Sequence, residues 1–315
     1  MTGAEEGLLL LCSTLGDPES RPLSCAQFRE LSRRAAALGL GDADPQRELT
    51  ERDLRHLGYA AEQAQRTARL LARVPRLQAY LAAAERRGIA ALTRISSAYP
   101  PLLRERLGDR APMVLWYRGA LELLREPCVS VVGSRQPEEL AIQFACRVGA
   151  LAAEEGFALC TGGADGVDTE AKNACLANGG RAILFPAGRL TDCKPDSRIL
   201  YLAETDYDAP FSAPRALARN RLIHALGERT YAAQPRLRSG GTWRGCADHL
   251  RWIAARPLYL LDDGGDAAAA LAAQGAILTG IPETLRSGTA RGAGQPMEPE
   301  QLCLYAPEDE RINHG

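Results

Sequence analysis

Two glycine-containing turns hold the residue types that could do chemistry in this chain. The first, Gly133-Ser134-Arg135, follows an apolar, β-branched run at 128–132, and the second, at 161–168, contains three glycines and two aspartates. Glycine lets the main chain approach a ligand closely, and a helix that begins after such a turn presents unpaired N–H groups to an anion. With the fixed charge of Arg135, the turns predict a phosphate-binding site. The alternative is that the glycines only turn the chain tightly between strand and helix.

The elements that must position these turns follow from the hydrophobic pattern. Residues 128–132 suit a buried parallel strand, 137–156 have apolar residues at helical spacing, and 157–160 form a second short apolar run. This strand–helix–strand unit places both turns at the carboxyl ends of adjacent strands, where open α/β sheets bind ligands. Because the first turn has a single glycine, the GxGxxG fingerprint is missing, and we predict no nicotinamide or flavin cofactor.

The rest of the chain predicts further strands and helices around this unit. Strands are expected at 113–117, near the edge of the sheet, and at 181–185, 230–233 and 257–261. Helices are expected at 214–223 and from the turn at 238–243 to residue 253. The polar stretch 192–210 is predicted to be a surface loop or lid.

The first 84 residues are typical of a small helical module. Helices are expected at 8–11, 25–38, 53–57 and 60–71. Thr50, three residues before Asp53, is predicted to cap a helix whose first turn is acidic.

The composition excludes several classes of protein. The 315 residues are 46% hydrophobic and 24% charged, and the net charge of −1 argues against a surface coated in positive charge. The nine cysteines form no CxxC pair, so no zinc site or disulfide framework is indicated. The N-terminus has neither a basic segment nor a long apolar run, which predicts a cytoplasmic protein without membrane contact.

One stretch is strongly basic despite the neutral total. Residues 215–256 contain only two acids, Glu228 and Asp248. A phosphodiester backbone would bind such a stretch, although the arginines could instead pair with carboxylates elsewhere in the fold. Its arginines are Arg215, Arg219, Arg221, Arg229, Arg236, Arg238, Arg244, Arg251 and Arg256.

Five short motifs, in their order and spacing, resemble one known family. They are Tyr99-Pro100-Pro101-Leu102-Leu103, Val131-Val132-Gly133-Ser134-Arg135, the stretch 161–171, Arg219-Asn220-Arg221-Leu222-Ile223 and Ser239-Gly240-Gly241-Thr242-Trp243. Together they extend over about 89–280 and resemble the DNA-processing protein A (DprA/Smf) family.

The resemblance implies an extended Rossmann-like fold with a mostly parallel sheet, preceded by a small helical, SAM-like domain. The expected domains are 1–85 (helical), 86–285 (Rossmann-like) and a flexible tail at 286–315. The resemblance also implies a non-catalytic protein that binds and protects single-stranded DNA, loads the RecA recombinase in natural transformation or recombination, and dimerises through the Rossmann domain.

The resemblance also transfers a set of phosphate-binding or nucleic-acid-binding residues. With the lysine after the second turn and the third glycine turn included, they are Gly133, Ser134, Arg135, Gly162, Gly163, Gly166, Asp168, Lys172, Arg219, Asn220, Arg221, Gly240, Gly241 and Thr242. The family commonly has a basic residue where this chain has Asp165, so some repulsion of phosphate is expected there.

Two other functions use the same turns. One is a nucleotide sensor, in which Asp168 bonds a ribose, although capping of the following helix is the better expectation for this residue. The other is a phosphoribohydrolase-like enzyme, but three residues after Thr242 the chain has Gly245 where such enzymes have a glutamate. No catalytic residue is therefore predicted. Of the aromatic residues near the basic stretch, Tyr231, Trp243 and Trp252 are expected to pack in the core rather than stack on bases.

Overall fold

The computed structural model of the chain describes residues 1–37, 49–251 and 256–286. Most of the predicted tail, and Trp252, lie outside the described residues. The described helices are α1 (Gly3–Cys12), α2 (Cys25–Ala37), α3 (Glu51–His56), α4 (Ala61–Leu71), α5 (Val74–Glu85), α6 (Pro101–Leu107), α7 (Glu139–Glu154), α8 (Val167–Ala177), α9 (Ala213–Leu226), α10 (Gly240–Leu250) and α11 (Asp266–Ala272).

The strands form one nine-stranded sheet in the order β1-β2-β6-β5-β4-β3-β7-β8-β9. They are β1 (Ile89–Thr93), β2 (Val114–Gly119), β3 (Cys128–Gly133), β4 (Ala158–Thr161), β5 (Arg181–Leu184), β6 (Ile199–Ala203), β7 (Arg229–Ala233), β8 (Leu258–Leu261) and β9 (Ile277–Thr279). Pairing is parallel from β6 to β9, whereas β2 is antiparallel to both β1 and β6. The predicted α/β class with a Rossmann-like, mostly parallel sheet is confirmed.

The alternating directions of the side chains along β3 explain why helices cover both faces of the sheet. Val129 and Val131 pack on one face with Phe144 of α7, whereas Val132 packs on the other face with Leu222 of α9. Successive side chains of a strand point to opposite faces, so a strand with apolar side chains on both faces must be covered on both.

The chain reverses its direction of travel across the sheet next to β3. It proceeds outward through β4, β5 and β6, then returns to β7 on the other side of β3 and continues outward to β9. The loops after β4, β3 and β7 are therefore neighbours at one edge. This topological switch point is where ligands bind in open α/β sheets.

The N-terminal helices pack against the antiparallel end of the sheet. Leu8, Leu9 and Leu10 of α1 and Leu77 of α5 share a buried cluster with Trp116 of β2. The expected cap is present, since the Thr50 side chain accepts from the Asp53 N–H and Asp53 accepts from the Thr50 N–H. The boundary at residue 85 stays a prediction.

The predicted surface loop at 192–210 is wrong in its centre. Residues 199–203 form β6, which lies between β2 and β5, and Leu200 and Leu202 are fully buried. The polar residues on both sides of this short apolar run suggested a loop, but pairing to two strands decides its structure. Within the described part of the chain, no helix has the length and apolar character to cross a membrane.

Candidate functional site

The loops after β3, β4 and β7 meet around a cleft of about 760 Å³ at the carboxyl edge of the sheet. Helices α9 and α10 form its remaining walls. Nine of the predicted binding residues line it: Gly133, Ser134, Arg135, Asp168, Arg219, Asn220, Gly240, Gly241 and Thr242. The structure thus brings together residues that are more than 100 positions apart in the sequence.

The first two turns touch each other through their backbones. Val167 at the start of α8 donates its N–H to the carbonyl of Ser134 at 3.1 Å. Gly166 has a φ of +80°, and a Cβ there would overlap the Ser134 carbonyl oxygen. Gly166 is therefore needed both for its backbone conformation and for the close approach of the two turns.

The third turn is tied to the first turn and to α9. Thr242 donates its hydroxyl to the carbonyl of Gly133 at 2.8 Å, and the Asn220 amide donates to the carbonyl of Gly241 at 3.2 Å. Thr242 and Asn220 thus have a positioning role in the cleft. Because α8 and α10 both begin at this edge, the positive ends of their dipoles lie there too.

Arg219 lies at the floor of the cleft with its guanidinium over the second turn. The residue is 8% exposed, and among the described residues its buried Nε and Nη1 have no hydrogen-bond partner. A Cβ on Gly162 would overlap the guanidinium, so this glycine provides the space that Arg219 occupies. Burial lowers the pKa of Arg219, and the nearby Asp168 opposes that shift.

Asp168 is the buried acid beside Arg219. Its carboxylate accepts from the Ala164 N–H at 3.4 Å, in the turn that precedes α8. Burial raises the pKa of Asp168, while the Arg219 guanidinium and the turn's N–H groups act in the opposite direction. The predicted helix cap is wrong, because the N-cap of α8 is Gly166 and no side chain caps the helix. Asp168 lies two residues beyond this N-cap, and its side chain turns back to the loop and faces Arg219.

The rim of the cleft carries charges of both signs. Arg135 and Arg236 are exposed, and the Arg236 guanidinium donates to the amide oxygen of Gln136 at 3.3 Å. Asp165 is also exposed and lines the cleft. The rim can therefore attract an anion through the two arginines, while Asp165 weakens that attraction.

Five of the predicted residues do not line the cleft. Gly162 lies beneath the Arg219 guanidinium, Gly166 holds two turns together, and Gly163 adopts a φ of +66° in the second turn. Lys172 lies farther along α8 and is half-buried. Arg221 points away, with Nη1 2.9 Å from the Glu204 Oε1 and Nη2 paired to Oε2.

The basic stretch at 215–256 does not form one continuous face. Arg215 donates to the carbonyl of Ala209, and Arg229 donates to the carbonyl of Leu285. Only Arg219 and Arg236 of this stretch line the cleft. The expectation of a basic ligand surface therefore applies to a small part of the stretch.

Two exposed apolar side chains at the cleft were missed by the sequence reasoning. Phe211 is 58% exposed and Leu217 is 36% exposed, and both line the cleft. Position 211 lies between the predicted loop at 192–210 and the predicted helix at 214–223, and no periodicity marks it. Tyr231 is buried as expected, and Trp243 is partly buried against the core. The candidate stacking residue is therefore Phe211.

The described residues include no group of three or more His, Cys, Asp or Glu side chains that could hold a metal ion. The buried histidines His224 and His249 lie away from the cleft, with ring centroids 5.2 Å apart. The chemistry that the cleft offers is anion binding by a buried arginine, two rim arginines and two helix N-termini.

The fold is that of a Rossmann-like α/β protein, with a cleft lined by arginines and helix N-termini at its topological switch point. Residues 90–288 match the sequence profile of the family described as DNA recombination-mediator protein A. The chain belongs to this family.

Two curated relatives are similar to the chain. The DNA processing protein DprA of Streptococcus pneumoniae is 31% identical over 183 residues, which cover 53% of this chain and 64% of the relative. The protein Smf of Synechocystis is 28% identical over 163 residues, which cover 47% of this chain and 40% of the relative. The matches thus span less than two thirds of each relative's length.

Two solved structures are also similar. DNA processing protein A from Streptococcus pneumoniae aligns with a TM-score of 0.67 at 23% identity, over 89% of this chain and 95% of that chain, which shows a shared fold. DNA processing protein A from Helicobacter pylori, reported for its single-stranded DNA binding mode, aligns with a TM-score of 0.51 at 25% identity, over 60% of this chain and 90% of that chain.

Proposed function

We propose that the chain is a non-catalytic protein that binds the backbone of single-stranded DNA in the cleft. The observation that carries this proposal is the Arg219 guanidinium, which is 8% exposed. At the cleft floor its buried Nε and Nη1 have no hydrogen-bond partner in the part of the chain that the structure describes. Buried cationic groups without partners are costly, and a phosphate oxygen would satisfy them. The cleft is thus arranged around a ligand anion.

A polynucleotide fits the cleft better than a single nucleotide. Arg135 and Arg236 lie on the rim beyond Arg219, so the site offers cations for more than one phosphate. Phe211, exposed beside them, offers a ring on which an unpaired base can stack. The Helicobacter pylori protein's reported binding of single-stranded DNA supports the same assignment.

Competition binding tests this proposal against the nucleotide-sensor alternative. A labelled poly-dT oligonucleotide is bound to the protein and displaced with unlabelled poly-dT, with duplex DNA or with a mixture of nucleoside monophosphates. We expect displacement by poly-dT and poor displacement by duplex, whose bases are not available for stacking. Displacement by monophosphates at similar concentrations would instead assign the cleft to a small nucleotide.

The proposed absence of catalysis has support at Gly245. This residue stands where the phosphoribohydrolase pattern would have its glutamate, and a Cβ there would lie 2.9 Å from Nε2 of the buried His224. A side chain at that point would have to displace the His224 ring. Release of free base from a nucleoside monophosphate by the purified protein would contradict the proposal.

The proposal extends to delivery of the bound strand to a RecA-type recombinase, in keeping with the family's description as recombination mediators. The test is the rate of recombinase filament assembly on single-stranded DNA with and without the protein. We expect faster assembly with the wild type and none of this gain with Arg219→Ala. Equal rates with and without the wild-type protein would limit the function to strand binding.

We further propose that the chain forms a homodimer through the Rossmann-like domain. The strand β9 lies at the edge of the sheet, where Leu278 and Ile281 are 40% and 41% exposed. An exposed edge strand with apolar side chains favours pairing with a second copy. Sedimentation of the full chain and of Leu278→Lys tests this: we expect a dimer that the variant weakens, and a monomeric wild type would contradict it.

A further inference from the structure

A second groove adjoins the cleft and lies between α9 and α10. It has a volume of about 310 Å³ and shares Leu217, Asn220 and Gly241 with the cleft. On α10 it is lined by Gly241, Arg244, Gly245 and Asp248, which follow the i, i+3, i+4, i+7 spacing of one helix face. We call it the outer groove.

Arg244 and Arg110 are exposed cations that line the outer groove, and Arg244 lies on α10. Within the described part of the chain Arg244 makes no ion pair or hydrogen bond, whereas Arg221 in the same groove is neutralised by Glu204. An arginine that no carboxylate holds is available to a ligand phosphate. The opposing charge is Asp248, which is exposed and lies 3.6 Å from Arg251 in an ion pair.

We propose that a single strand leaves the cleft through the outer groove, where Arg244 contacts its backbone. This inference rests on the proposed function, because it extends the path of the same strand. From Gly241 to Asp248 the helix advances about 10 Å, which is the length that the outer groove adds to the path along α10. Asp248 repels phosphate at the far end and limits the path there.

Oligonucleotide length separates the outer groove from the cleft. Affinity and its salt dependence are measured for oligo-dT of about 4 and about 16 nucleotides, the span of typical single-strand site sizes. We expect the longer strand to bind more tightly and with a steeper salt dependence. Equal affinity and slope for both lengths would overturn the inference but leave the cleft intact, whereas binding of neither would reject the proposed function itself.

Two variants then locate the additional contact. Arg244→Ala should lower the affinity for the long strand by about 2- to 5-fold, the range measured for exposed charge pairs. It should also reduce the slope of log affinity against log salt concentration by about 0.7, the value for one phosphate of a single strand. It should leave the short strand unchanged. Asp248→Asn should raise the affinity for the long strand and leave the affinity for the short strand unchanged.

The matched control is Arg125→Ala, an exposed arginine before β3 and therefore at the opposite edge of the sheet. It should leave both lengths unchanged. The inference is overturned if Arg244→Ala weakens short and long strands equally, if it weakens neither, or if Arg125→Ala has the same effect on the long strand.

Discussion

Gly162→Ala should abolish most of the binding, although Gly162 itself does not line the cleft. The atoms nearest to a Cβ at Gly162 all belong to the Arg219 guanidinium, so the new methyl group displaces that guanidinium and meets no other group first. The strand then loses one charge-assisted hydrogen-bonding group, worth about 1.5–3 kcal/mol, or roughly 10- to 150-fold in affinity. The assay is fluorescence anisotropy with labelled poly-dT.

A double-variant cycle makes this prediction specific. In the Arg219→Ala background the guanidinium is gone, so Gly162→Ala should cost nothing further. Gly188→Ala, at a position with open space around the added Cβ, is the control and should bind like the wild type. Two results would refute the assignment of Arg219 as the central phosphate ligand. One is a double variant whose loss of affinity equals the sum of the two single losses, and the other is a Gly162→Ala variant that binds like the wild type.

Four further predictions follow from single features of the structure. Asp165→Asn should raise affinity for poly-dT by about 2- to 5-fold at low salt, because an exposed acid leaves the cleft; unchanged affinity would show that the strand does not pass this rim. Thr50→Ala should lower the free energy of unfolding by about 1 kcal/mol through loss of the helix cap, as measured by urea denaturation. Arg238→Gly should raise the free energy of unfolding by roughly 0.5–1 kcal/mol, because Arg238 has a φ of +52°, a conformation that glycine adopts without strain. A lower free energy of unfolding would contradict this reasoning. Burial lowers the pKa of both His224 and His249, so the unfolded chain takes up protons at a higher pH than the folded chain does. The free energy of unfolding should therefore fall as the pH drops below about 6.5, by up to about 1.4 kcal/mol per pH unit for each histidine. A melting temperature that stays the same between about pH 6.5 and 5 would contradict this.

The sequence was sufficient for most of the sheet, because the strand residues form short apolar runs that glycine turns terminate. The strand β6 was missed for a physical reason. Its five residues, Ile199 to Ala203, follow a polar stretch, and their strand structure comes from pairing on both sides with β2 and β5. Such long-range pairing leaves little local signal.

Helix geometry explains why only one of the two predicted binding arginines on α9, Arg219 and not Arg221, lines the cleft. Residues advance by about 100° around a helix, so Arg219 and Arg221 point in nearly opposite directions and cannot both face one cleft. The sequence contained this information. It did not contain the contact between Arg219 and Gly162, which depends on the packing of α9 over the turn after β4.

The salt dependence of poly-dT binding, compared between the wild type and Arg219→Ala, tests the central claim most directly. We predict that wild-type affinity falls steeply with salt and that the variant is both weaker and less salt-dependent, with a slope reduced by about 0.7 or more. Wild-type protein that fails to bind poly-dT at low salt, or a variant with the same affinity and slope, would contradict the account.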